Sequence, residues 1–187
     1  LIPKIDVQLV ILSGPSGVGK DAVIDAWKAR NPRVMRIVSM TTRAPRKGET
    51  EGVDYFFVTR KVFEKMVHDG GFLEYKEVFE HYYGTPWSGL TEAEANHSIG
   101  ILKIDVKGAM DVIALKIPLI SIFILPLSEA ELEKRLRGRG TDAEDEIELR
   151  LSRARREIEM SKVYQYRVVN DNIQDCVSEI EQIVNGK

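Results

Sequence analysis

The sequence holds a single cysteine, Cys176, which excludes an internal disulfide and fits a reducing compartment. A small apolar side chain on the inner face of the last helix is the expected role for it. Long apolar runs are missing too: none approaches the roughly 20 residues that cross a bilayer. The opening stretch LIPKIDVQLVIL has no basic segment followed by a cleavable apolar one, so no signal peptide is expected. It also has no initiator methionine. The expected location is the cytoplasm, or an organelle if a targeting segment was removed upstream. Neither sign of charge dominates, with 27 Lys+Arg against 29 Asp+Glu and a net charge of −2. Nothing in bulk charge points to nucleic acid or to a membrane surface, and neither is an expected partner. Repeats and low-complexity stretches are absent. What is present is 187 residues with 43% hydrophobic content, enough for one domain with a substantial core.

Apolar runs alternate with helical spacing. Val7 to Leu12 reads as a buried strand entering the loop SGPSG, and a helix with Val23, Ile24 and Trp27 follows from Lys20 to Arg30. Asn31-Pro32 ends it. Val34 to Met40, Ile101 to Val106, Leu119 to Leu125 and YRVVN (166–170) read as further strands. From Thr41 to Ser88 the texture changes to turns, aromatics and short β-like runs around a helix near Lys61 to His68, as in a small inserted lobe. Two charged helices, about Ser128 to Gly138 and Asp142 to Ser161, flank GRGTD, and a last amphipathic helix carries Val177, Ile180 and Ile183. The expected fold is α/β: a parallel sheet flanked by helices, with ligands at the C-terminal ends of its strands. Residues 1–38, 96–126 and 162–187 form its core, 39–95 the inserted β-rich lobe and 127–161 a helical lid.

The segment GPSGVGKD (14–21) matches the phosphate-loop pattern G-x-x-x-x-G-K-[ST] up to its last letter. A strand leads into Gly14 and a helix opens at Lys20, which is the context the pattern requires. The loop of Gly14, Pro15, Ser16, Gly17, Val18 and Gly19 can turn its backbone N–H groups, one from each residue except Pro15, inward as an anion nest at the positive end of a helix. Lys20 can then reach the β- and γ-phosphates of a nucleotide. A glycine-rich β–α turn without a ligand is the plainer alternative, and strand, helix and lysine together speak against it. Asp21 stands where a hydroxyl would hold Mg²⁺. Carboxylate oxygen is itself a good Mg²⁺ ligand, so Asp21 is expected to hold the metal directly or through water.

Downstream, SMTTRAPRKGETEGVDYFFV (39–58), FLEYKEVFEHYYGTP (72–86), IDVKGA (104–109), LRGRGTD (136–142) and VVND (168–171) together resemble guanylate kinases, which phosphorylate GMP with ATP. The resemblance runs over essentially the whole chain. It implies a P-loop core, a mobile GMP-binding lobe, a mobile arginine-bearing lid, and Mg²⁺ with ATP. GMP or dGMP is the implied acceptor.

The resemblance also implies roles for single residues, and their chemistry is consistent with them. Arg43 and Arg46 fall to the GMP phosphate, with Tyr55 and Tyr83 as phenol donors. Ser39 and Asp105 fall to bound GMP. Glu74 matches the carboxylate that reads guanine, accepting from N1–H and the 2-amino group, whereas adenine would leave it unsatisfied. Thr85 would donate to O6 of guanine. Without the family, Glu74 is a solvated strand carboxylate and Tyr82–Tyr83 a packed pair; Tyr82 is expected in the lobe's core. Arg135, Arg139 and Arg150 keep the lid spacings and would neutralise the transferring phosphoryl group. Arg137, Arg153 and Arg156 read as a salt-bridged helix surface. Asn170 falls on the adenine side of the ATP pocket.

Two departures stand out. Lys103 occupies a position where the family often has an acid, and is expected to pair with Asp105 or touch a phosphate. Lys107 replaces a common glutamine. The rival classes are a partner-binding module that has lost catalysis and a kinase for another nucleoside monophosphate. The retained glycine loop and lid arginines oppose the first, and Glu74 with Thr85 opposes the second.

Overall fold

Strand β1 (Gln8–Ser13) is buried from Leu9 onward because it runs through the middle of a sheet covered on both faces. The structure, a computed structural model, describes residues 5–78, 80–95, 99–138 and 144–186. Five parallel strands lie in the order β2 (Val34–Ile37), β7 (Ile99–Leu102), β1, β8 (Ile120–Pro126), β9 (Tyr166–Asn170). Alternate residues of β1 serve opposite faces. Val10 and Leu12 join Ile24 and Trp27 of α1 (Lys20–Arg30) and Val177 and Ile180 of α7 (Ile173–Val184). Leu9 and Ile11 join Leu90 and Ala93 of α3 (Trp87–Ala95) and Ala109 and Val112 of α4 (Val106–Ala114). Cys176 is buried on the inner side of α7, where burial pushes its thiol up to about 12.

The inserted lobe is a second sheet in the order β4 (Phe56–Phe57), β3 (Met40–Thr41), β6 (His81–Pro86), β5 (Phe72–Val78). Its helix α2 (Arg60–His68) is capped by the Thr59 hydroxyl, which accepts from the backbone N–H of Val62. Phe63 of α2 is fully buried, stacked on Phe72 and Tyr82 with ring centroids at 4.4 and 5.2 Å. Tyr82, which the sequence reading places in the lobe's core, is only half-buried: Phe63 stacks on its ring and the Arg60 guanidinium lies 4.7 Å from the ring centre. Two lid helices, α5 (Glu129–Arg137) and α6 (Glu144–Met160), share a separate small core of Leu132, Leu136, Ile147, Leu151 and Ala154.

Two boundaries differ from the sequence reading. The strand expected from Ile101 to Val106 ends at Leu102, because the Asp105 side chain accepts from Gly108 N–H and starts α4 at Val106. Helix α3 was not expected; although it lies within the range assigned to the lobe, its Leu90 and Ala93 pack with the core sheet. GRGTD is represented only by Gly138 among the described residues, so Arg139 lies outside them. No helix among the described residues is long and apolar enough to cross a membrane.

Candidate active site

The phosphate loop runs from the end of β1 to the start of α1. Gly17 and Gly19 have positive φ, and Gly19 is the left-handed residue from which α1 starts, at φ 96°. The Lys20 ammonium donates to the backbone carbonyls of Gly14 and Pro15, the latter at 3.0 Å, and so lies folded over the loop. A phosphate seated in the nest would replace these carbonyls as its acceptor.

The loop is braced from behind. Asn170, at the end of β9, is 2% exposed, and its Nδ2 donates to the Val18 carbonyl at 2.8 Å. A Cβ at Gly19 would stand 2.7 Å from that same nitrogen, so glycine is needed there for space as well as for φ. The Arg135 guanidinium donates to Val18 O and Asn170 O, both at 3.3 Å, and to Glu131 at 3.1 Å. Both residues therefore hold the loop's backbone in this structure. Asn170 does so from a buried position rather than lining an open adenine pocket, although its Oδ1 is buried without a partner among the described residues. Arg150 reaches the loop from α6, donating to Ser16 Oγ at 3.4 Å and to Glu146 at 2.7 Å. Arg137 is bound by Glu133 and Glu144, a helix-surface role as the sequence suggests.

Glu74 and Thr85 face each other across β5 and β6. Glu74 is 9% exposed, Thr85 is fully buried, and the Thr85 hydroxyl donates to Glu74 Oε1 at 2.7 Å. The threonine's only proton is directed to the glutamate, so Thr85 here orients the carboxylate, where the sequence reading had it donating to O6 of guanine. Burial raises the Glu74 pKa above its ordinary value, opposed by the Thr85 bond and assisted by the Asp105 charge. The carboxylate packs close to the first turn of α4: a Cβ on Gly108 would lie 2.8 Å from Oε2. Ser39, Tyr55, Glu74, Tyr83, Lys103 and Asp105 line a cavity of about 220 Å³.

The Arg43 side chain and the Arg46 backbone meet at Glu49. The Arg43 fork is bidentate on Glu49, with both contacts at 2.8 Å, while its Nε donates to the Tyr83 hydroxyl at 3.2 Å. Glu49 also accepts from the Arg46 backbone N–H at 2.7 Å. The Arg43 hydrogen bonds hold the Glu49 carboxyl below the usual range despite partial burial. Tyr55 lies edge-on to Tyr83 at 5.9 Å, with the Arg43 guanidinium 5.4 Å from the Tyr55 ring centre. Glu49 was not singled out from sequence, although it stands three residues after Arg46 and is the right length to fold back onto this turn.

Asp21 is the other surprise. Its Oδ1 accepts from Lys103 Nζ at 2.6 Å and lies 3.5 Å from an Arg36 nitrogen. Lys103 thus pairs with Asp21, correcting the expectation that it pairs with Asp105 or a phosphate. Asp105 instead caps α4, accepting from Gly108 N–H at 2.8 Å. Arg36 also donates to Asp54 O at 2.9 Å, which ties β2 to the lobe. Burial works to raise the Asp21 pKa, but Lys103, Arg36 and Lys20 together outweigh it and hold the carboxyl below the usual range.

A second cavity of about 650 Å³ runs along the phosphate loop, past Lys20 and Asp21, to Arg43, Arg46 and Glu157. It shares Tyr55, Tyr83, Lys103, Ile104 and Asp105 with the first. Glu157 of α6, another residue the sequence reading passed over, has its pKa raised by burial and restrained by the Lys20 charge. It lies seven residues after Arg150 on α6, two helical turns along the same face, and that spacing was its only signal. Among the described residues no group of three or more His, Cys, Asp or Glu could hold a metal ion. Mg²⁺ bound to a nucleotide needs no such cage, since phosphates and water fill most of its shell. Asp21 suits that arrangement: its side chain is 64% exposed and both of its bonds fall on Oδ1.

Comparison with known proteins agrees with this geometry. The family profile described as guanylate kinase matches residues 6–187. A guanylate kinase of Carboxydothermus hydrogenoformans is 41% identical over 96% of this chain and 88% of its own length. One of the Wolbachia of Brugia malayi is 45% identical over 95% and 91%. The crystal structure of guanylate kinase from Anaplasma phagocytophilum is 32% identical, covers 100% of this chain and 88% of that one, and superposes with a TM-score of 0.76. A shikimate kinase from Bacteroides thetaiotaomicron, at 16% identity and a TM-score of 0.52, shares the fold alone. With the profile and the relatives spanning nearly the whole chain, the protein belongs to the guanylate kinase family, whose members are nucleoside monophosphate kinases that transfer the γ-phosphoryl group of ATP to GMP.

Proposed function

We propose that the two joined cavities divide this reaction between them, the phosphate loop taking ATP and the lobe taking GMP or dGMP. The observation that carries this reading is their shared wall of Tyr55, Tyr83, Lys103, Ile104 and Asp105. A guanine seated on Glu74 would direct its phosphate along that wall toward the nest. Glu74 accepts from N1–H and the 2-amino group, held in place by Thr85, and Ser39 adds a hydroxyl at the same cavity. Arg43, Arg46, Tyr55 and Tyr83 bind the acceptor phosphate, with Arg43 turning from Glu49 to do so.

On the donor side the loop N–H groups of residue 14 and residues 16–19 cradle the phosphates, and Lys20 leaves the loop carbonyls for the β- and γ-oxygens. Arg150 approaches from the lid toward the transferring group. Arg139, outside the described residues, is assigned the same task by spacing. Arg135 and Asn170 keep the loop in shape beside the adenosine. Mg²⁺ would be held by Asp21, directly or through water, and would neutralise charge on the β- and γ-phosphates. The acceptor phosphate is already ionised near neutral pH, so the protein's work is alignment, charge neutralisation and exclusion of water.

A coupled assay of ADP release with GMP, dGMP, AMP, CMP and UMP tests the assignment. Turnover is expected with GMP and dGMP, with AMP slower by about a hundredfold or more. Comparable rates with AMP would remove Glu74 from the base site.

A further inference from the structure

The pattern residue after the loop lysine is ordinarily a hydroxyl, and a carboxylate there brings a negative charge toward the phosphates of ATP. The structure places two cations against that carboxylate, and the arrangement is lopsided. Lys103 and Arg36 have side chains only 15% and 13% exposed, whereas Asp21 is 64% exposed. The cations are seated in the scaffold, on the segment leaving β7 and on β2, and the carboxylate leans onto them from the first turn of α1, where Asp21 and Lys103 both line the phosphate cavity. Its Oδ1 is clamped, and its Oδ2 has no hydrogen bond from any described residue. Lys103 also stands on the wall shared by the two cavities, so its charge is felt where donor and acceptor phosphates meet.

We infer that Lys103 is a positioning residue for Asp21, and that the Asp21–Lys103 pair replaces the single hydroxyl of the usual loop as one functional unit. Lys103 offsets the aspartate's charge and fixes its inner oxygen, so that the outer oxygen is presented to the metal or its water while the triphosphate meets a nearly neutral pair. An Asp21 left with only the 3.5 Å contact to Arg36 would repel the phosphates, and a Lys103 without Asp21 would attract them without orienting a metal. The two positions are therefore coupled, and neither tolerates change alone as well as both do together. This rests on the ATP assignment of the phosphate loop.

The test is a double-mutant cycle of wild type, Lys103→Met, Asp21→Ser and the double variant. ADP binding is measured by calorimetry in EDTA and again with Mg²⁺, alongside melting curves without nucleotide. Lys103→Met should weaken metal-free ADP binding by about tenfold or more. Adding Asp21→Ser should restore it to within about threefold of wild type. The Mg²⁺ concentration for half-maximal kinase rate should rise in Lys103→Met, and Lys103→Arg should return both readouts toward wild type. Lys103→Arg also serves if Lys103→Met does not fold. A double variant as weak as Lys103→Met would make Lys103 an independent phosphate ligand and overturn the proposal, as would a Lys103→Met protein that binds like wild type. If wild type itself binds no ADP, the ATP assignment fails and the pair's role falls with it.

Discussion

The Thr85 hydroxyl donates to Oε1 of Glu74 at 2.7 Å, from a position with no solvent exposure. One proton therefore fixes the rotation of the carboxylate proposed to select guanine, and it favours the ionised form, which is the form that could accept from guanine. Burial works against that form, and burial is the larger effect.

Glu74→Gln should separate binding from stability. The Glu74 pKa in the folded state lies above its unfolded value, so stability is lost as pH rises through the folded pKa. The glutamine variant escapes that loss, and its melting temperature at neutral pH should equal or exceed wild type. The difference should vanish below the ordinary carboxylate range. GMP turnover should meanwhile fall severely, because the new amide donor faces a guanine donor at a cost of about 1–3 kcal/mol or more. Melting curves at several pH values with parallel GMP kinetics check both halves.

Thr85→Val removes the bond that opposes burial. The Glu74 pKa should rise further, and the KM for GMP should begin to climb at a higher pH than in wild type as conditions are made more acid. The pH profile for ATP should not move. An unshifted acid limb for GMP would show that Thr85 does not govern the carboxylate.

Arg43→Lys tests the acceptor-phosphate site. A lysine cannot make the fork on Glu49 or offer two parallel donors to a phosphate. The KM for GMP should rise by about tenfold or more, with the KM for ATP within about twofold. Equal effects on both substrates would point to general loosening of the lobe.

Asn170→Ala takes the brace from the phosphate loop. The Val18 carbonyl loses its 2.8 Å partner and keeps only the 3.3 Å bond from Arg135, which costs about 0.5–1.5 kcal/mol and lowers the melting temperature. Because Gly19 and Lys20 follow Val18 directly, ATP kinetics should suffer while the affinity for GMP stays close to wild type. Calorimetric titration with each nucleotide separately checks this.

Much of the site is legible in the chain where a backbone device and its side chain lie together. The phosphate loop needs glycines, a lysine and a flanking strand and helix within one short segment, so Gly14 to Lys20 announces itself. The sheet is equally readable, because Leu9–Leu12 and Ile122–Ile124 are buried on both faces and their sequences stay apolar without a break. Helix α3 escaped because its apolar residues, Leu90 and Ala93, are few and follow an aromatic, turn-rich stretch. Glu49 and Glu157 escaped because charged residues are common on any surface, and only their neighbours in space distinguish them.

By itself the sequence determined the parallel α/β core, the nucleotide-binding loop and, through its motifs, the family; these follow from local spacing and from the burial that apolar runs require. Tertiary structure alone decided which charges meet across distant positions; pairs four apart on one helix, such as Arg137 with Glu133, follow from local spacing. Lys103 is 82 positions from Asp21 and only two from Asp105, yet it bonds to Asp21, because parallel pairing of β1 with β7 brings their C-terminal ends together. Asp105, the nearer acid in sequence, is drawn away by the unsatisfied N–H groups at the start of α4. Likewise Thr85 meets Glu74 through the register of β5 and β6, and Asn170 meets Val18 through the placing of β9 at the edge of the sheet. Pairing across such separations is set by strand order and register, which no short stretch of sequence contains.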